Sequence, residues 1–76
     1  MPTPQKPQAK AKKLGRNIAR HRAAKEFTQE KLAEKADVSA RYVQDLERGL
    51  YAPTVFIANR VRKALNITWD DLLKGC

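Results

Sequence analysis

A chain of 76 residues with 16 Lys and Arg against 8 Asp and Glu, a formal net charge of +8, can build one small core and favours an anionic partner. Its one cysteine, Cys76, excludes an internal disulfide and, alone at the end of the sequence, a metal site. No apolar run approaches the roughly 18 residues of a membrane span and no signal-peptide stretch opens the chain, so a reducing, cytoplasmic setting is expected. Nucleic acid is the first expected partner and a membrane surface the second.

Residues 1–13, MPTPQKPQAKAKK, hold three of the four prolines, four lysines and no acid, without an apolar period. They read as a disordered basic arm ahead of a folded domain over 14–76. Two roles stay open for the arm: a solubilising tail, or a basic arm that follows phosphates or enters a minor groove. In LGRNIARHRAAK, Leu14, Ile18 and Arg22 step by four, a first helix whose other positions are strongly basic. Thr28 is a good N-cap for QEKLAEKA, with Leu32, Ala33 and Ala36 as the apolar positions of a second helix. DVS breaks the pattern, Ser39 caps ARYVQDLER, and Gly49 supplies its stop. Pro53 and Thr54 open VFIANRVRKAL, with Ile57, Val61, Ala64 and Leu65 on one face. Thr68 and Asp71 resemble a capping box opening WDDLLK before Gly75. Five helical patterns, short connections and no strand pattern predict a compact all-α domain.

The positive charge is uneven. Residues 1–25 carry all eight net positive charges, whereas 38–49 sum to zero. At about 100° per residue, the neutral third helix places Ala40, Gln44, Arg48, Arg41 and Asp45 on one polar arc. Leu46 and Val43, with Tyr42 and Glu47 flanking, lie opposite. The polar arc mixes a small residue, an amide, an acid and two arginines. Reading base edges requires such a mixture: Arg for guanine, Gln for adenine, Asp for cytosine, a small side chain for a thymine methyl. Phosphate contacts supply affinity without sequence, so charge can come from neighbouring elements. Taken alone, the same mixture would also suit an ordinary solvated helix face.

Order and spacing favour the first alternative. FTQEKLAEKADVSARYVQDLERG resembles the Cro/repressor (Xre-type) helix-turn-helix family through Thr28-Gln29, Leu32-Ala33, Val38-Ser39, Tyr42-Val43 and Leu46-Glu47-Arg48-Gly49. The match takes in Leu14-Gly15, Ile18 and Arg22 upstream, and Pro53, Ile57, Val61, Ala64-Leu65, Ile67 and Leu72 downstream. The resemblance implies a five-helix lambda-repressor-like fold, with the helix-turn-helix at helices two and three. It implies a transcription regulator that binds double-stranded DNA as a homodimer on a pseudopalindrome, the helix at 39–48 in the major groove. Ala40, Arg41 and Asp45 match base-facing positions, with Gln44 beside them. Gln29 matches a residue that contacts a phosphate and buttresses the reading helix. Tyr42 and Arg48 match backbone-contacting positions, to which Thr28, Ser39, Lys12, Lys13 and Arg16 are added. Arg22 and Glu47 match an ion pair tying helix one to helix three, as a carboxylate on the packing arc requires.

Four positions depart from the family's pattern. Asp37 stands where Gly is usual, Phe27 precedes Thr28 as an apolar staple, His21 sits at a usually apolar position, and Arg62 replaces a small residue. His21 is expected to pack half-buried, with a pH switch as the other reading. Phe56, Ile67, Trp69 and Leu73 exceed the needs of a small core and are expected at a dimer seam, or else as its cover. Restriction–modification controllers are the preferred subtype; an antitoxin-like or adapter module with a protein partner is the alternative. RNA polymerase is a further expected contact and the nucleoid the expected location. One His, one Cys and no Gly-rich phosphate loop speak against an enzyme, and no cofactor, metal or small-molecule ligand is expected.

Overall fold

The computed structural model describes residues 9–76, which form five helices: α1 Ala9–Ala24, α2 Gln29–Ala36, α3 Ala40–Arg48, α4 Val55–Leu65 and α5 Trp69–Leu72. No strand occurs among the described residues. The starts of α2 to α5 follow one chemistry. Thr28, Ser39, Thr54 and Thr68 are extended, and their hydroxyls accept from the amides of Lys31, Tyr42, Ile57 and Asp71. Helices α2, α3 and α4 end on left-handed residues, Asp37 (φ 58°), Gly49 (φ 73°) and Asn66 (φ 56°), whose amides donate back to the last turn. Asp37 thus performs the turn that Gly commonly makes, since a short polar side chain tolerates that conformation.

Helix α1 begins at Ala9, five residues before the boundary read from the sequence. Ala and Lys are strong helix formers, and Ala11 is buried. The turn is held by close backbone approach: a Cβ on Gly49 would lie 2.7 Å from Lys12 Cα. Contact through backbone and a small Ala leaves no apolar period to read. The part of the disordered-arm expectation that falls on residues 1–8 lies outside the described residues.

The core is built from Leu14, Ile18, Leu32, Ala33, Ala36, Val43, Leu46, Ala58, Val61, Leu65 and Leu72. At Gly15, α1 and α3 touch through their backbones: an added Cβ would meet Leu46 O and lie 2.7 Å from Glu47 O. Phe27 packs against the core, with Lys35 Nζ 5.3 Å from its ring centre, and His21 is half-buried. Arg62 ties α4 to α5: its terminal nitrogens reach Ile67 O (3.1 Å) and Asn59 Oδ1 (2.8 Å), and its plane lies 5.1 Å from the Trp69 ring. Arg60 likewise caps α2, donating through Nε to Ala36 O (2.9 Å) and also to Asp37 O. Asn17, buried in α1, donates through Nδ2 to Leu72 O and Lys74 O, both at 2.9 Å, and fastens the C-terminal turn.

Candidate nucleic-acid interface

The third helix is presented by what lies behind it. Val43 and Leu46 sink its inner side into the core. Glu47, with only 8% of its side chain exposed, receives Arg22 Nε at 2.5 Å, a second Arg22 nitrogen at 3.1 Å and Gln29 Nε2 at 3.0 Å. The third Arg22 nitrogen donates to Phe27 O at 2.8 Å. The hydrogen bond to Glu47 raises the Arg22 pKa above its already high value, against the opposing effect of burial. One carboxylate therefore joins α1, the start of α2 and the end of α3. Burying it is tolerable because three donors meet its lone pairs.

On the opposite side, Arg41, Gln44 and Arg48 are exposed, while Ala40 and Asp45 are half-buried. Arg41 Nε lies 3.2 Å from Asp45 Oδ1, and 76% of the Arg41 side chain is exposed against 16% of Asp45. Tyr42 stacks obliquely on Tyr51, ring centres 5.5 Å apart at 38°. Burial raises the Tyr51 phenol, and the Asp45 carboxylate raises it further. Tyr42 is also raised by burial, with Arg60 pulling the other way. Asp45 thus sits among its own neighbours, less open than the helical wheel implies.

The expected backbone contacts divide into groups. The Thr28 and Ser39 hydroxyls each accept a capping amide, which leaves the hydroxyl proton able to donate to a phosphate oxygen. Gln29 uses its amide nitrogen on Glu47, so its buttressing part is visible. Lys12 and Arg16 are exposed one turn apart on α1, Lys12 close beside Gly49. Lys13 turns away, half-buried; a Cβ on Gly75 would lie 2.5 Å from its Cε. The four seam residues also separate. Phe56 is 78% exposed and Leu73 44%, whereas Ile67 and Trp69 pack against the core. Leu50 and Tyr51, in the loop after α3 whose sequence LYAP suggests a flank to DNA or to a partner subunit, are exposed as well, and so is Val55, which the sequence did not single out.

An open cleft of about 300 Å³, lined by Val38, Ser39, Tyr42 and Ile57, adjoins the start of α3. Among the described residues, no group of three or more His, Cys, Asp or Glu could hold a metal ion, and no helix is long and apolar enough to cross a membrane.

Comparison with known proteins agrees with this arrangement. The helix-turn-helix family model matches residues 18–72. A helix-turn-helix-type transcriptional regulator of Sinorhizobium fredii is 36% identical over 62 residues, 82% of this chain and 80% of its own. The restriction–modification controller protein C.AhdI of Aeromonas hydrophila superposes with a TM-score of 0.82 at 29% identity, covering 86% of this chain and 98% of that one. The clp gene regulator ClgR of Corynebacterium glutamicum gives 0.81 at 32% identity, covering 87% and 86%. With its buttressed third helix and five-helix order, the chain belongs to the helix-turn-helix family of DNA-binding transcriptional regulators.

Proposed function

We propose that this protein binds a pseudopalindromic operator in double-stranded DNA as a homodimer, laying α3 in the major groove and regulating transcription there. The observation that carries this reading is the mounting of α3: Glu47 is clamped by Arg22 and Gln29 behind it while Arg41, Gln44 and Arg48 are exposed in front. Ala40, Arg41 and Gln44 face the bases, with Asp45 beside them on Arg41. Thr28, Gln29, Ser39, Tyr42 and Arg48, with Lys12, Lys13 and Arg16 from α1, supply backbone contacts, Lys13 being the least exposed of these basic residues. The likeness to the restriction–modification controller protein C.AhdI supports a controller role; the reading adds that this small regulator acts through its own concentration and contacts RNA polymerase. The reading includes no catalytic step, cofactor or small-molecule ligand, and it places the protein at cytoplasmic DNA.

Selection of bound sites from random oligonucleotides, followed by gel shifts, tests it. One palindrome with half-sites about 10 base pairs apart should emerge. It should be bound at nanomolar concentrations, with affinity falling steeply as salt rises. Equal affinity for random DNA would overturn the proposal. The exposed Phe56 beside Val55 favours one second reading, an adapter whose main partner is another protein. Arg41→Ala separates the two: the regulator loses base preference with its fold intact, the adapter keeps its partner.

A further inference from the structure

An aspartate on a reading face has two ways to influence sequence. It accepts from a base directly, or it fixes the side chain that donates to one. Asp45 is built for the second. Its carboxylate is 16% exposed and engaged by Arg41 Nε at 3.2 Å, while the Tyr42–Tyr51 pair stands at the same edge of α3. Burial raises the Tyr51 phenol, and the nearby Asp45 carboxylate raises it further. A cytosine amino group would have to compete with partners the protein already supplies.

Arg41 is complementary to this. A guanidinium carries five N–H groups in a fixed fork, and Asp45 takes the one on Nε. The two terminal nitrogens remain on a side chain that is 76% exposed. Two parallel donors at that spacing match guanine O6 and N7. The neighbouring carboxylate also removes net charge from the fork and so weakens its pull toward phosphates. With the Arg41 end of the pair in solvent, an i,i+4 contact of this kind contributes little to stability.

We propose that Asp45 is a positioning residue that aims the terminal nitrogens of Arg41 at a guanine, and that Asp45 itself reads no base. This rests on the DNA-reading function above and replaces the expectation that Asp45 accepts from a cytosine of its own.

The test is a double-mutant cycle on the selected operator with the full chain: wild type, Arg41→Ala, Asp45→Ala, the double variant, and Asp45→Asn. Each is titrated against the operator and its single-base variants, with melting temperature as a control for folding. Wild type should prefer guanine at one base pair by about ten-fold or more. Asp45→Ala should erode that preference at the same base pair, leave the others intact, and add nothing further once Arg41 is Ala. Asp45→Asn, which keeps an acceptor for Nε, should restore part of it at unchanged melting temperature. If Asp45→Ala instead abolishes preference at a different base pair, additively with Arg41→Ala, Asp45 is a direct reader and the proposal is overturned. If wild type selects no site, the DNA-reading function fails first and takes this proposal with it.

Discussion

Glu47 carries more structural consequence than any other charged residue here. Removing it deprives two Arg22 nitrogens and the Gln29 amide of their acceptor, leaving Arg22 only its bond to Phe27 O. Glu47→Ala should destabilise the fold by about 3 kcal/mol, the low end for a broken buried pair, because Arg22 keeps 20% of its side chain exposed. Chemical denaturation with an unchanged m-value would measure it; a loss below about 1 kcal/mol would assign the pair to surface behaviour. The pair was legible in the sequence because a carboxylate on the packing arc of α3 demands a partner and Arg22 stood at a matching position. The engagement of Asp45 was not. A helical wheel places side chains by angle and says nothing of which neighbour folds over them.

At the scale of elements, the helix starts were the most legible feature. A Thr or Ser hydroxyl binding an amide three residues on is local chemistry, and Thr28, Ser39, Thr54 and Thr68 all perform it. Ser39→Ala should cost about 1 kcal/mol of stability. Its effect on DNA affinity should exceed that of Thr54→Ala, because Ser39 opens the reading helix while Thr54 opens α4. Comparing thermal melts with gel shifts of the two variants checks both halves; equal effects on affinity would reduce Ser39 to a cap. The carbonyl clamps were invisible for the opposite reason. Asn17 binds carbonyls more than fifty residues away, and Arg60 reaches back to Ala36. Nothing in a short window marks an amide or guanidinium for such a duty. The first turns of α1 escaped likewise, being held by a glycine's backbone and not by an apolar stripe.

For the whole molecule, the question is how one small domain secures enough contact. For the homodimer proposed above, the exposed Phe56, with Val55 at its side, is the surface offered to a second copy, while Ile67 and Trp69 pack against the core. Phe56→Glu should therefore give a monomer by sedimentation, with helical content retained by circular dichroism and operator affinity reduced by more than ten-fold. An unchanged dimer would move the seam elsewhere, to Leu73 or to the loop at Leu50. Charge is distributed with the same economy. The basic Lys12 of α1 sits beside the end of a neutral α3, so in the proposed complex attraction to the duplex and choice among sequences would reside on different helices.

The backbone contact at Gly15 links those two helices mechanically. Where helices meet through side chains, rotamers can absorb a small slide; here a carbonyl edge rests on a bare Cα and leaves no such cushion. A tilt of α3 to follow a base step must carry α1 with it, and Lys12 and Arg16 along with α1. In the proposed complex, fitting the bases and fitting the phosphates would then become a single adjustment, and a sequence that seats α3 poorly would also pull the cations off their register.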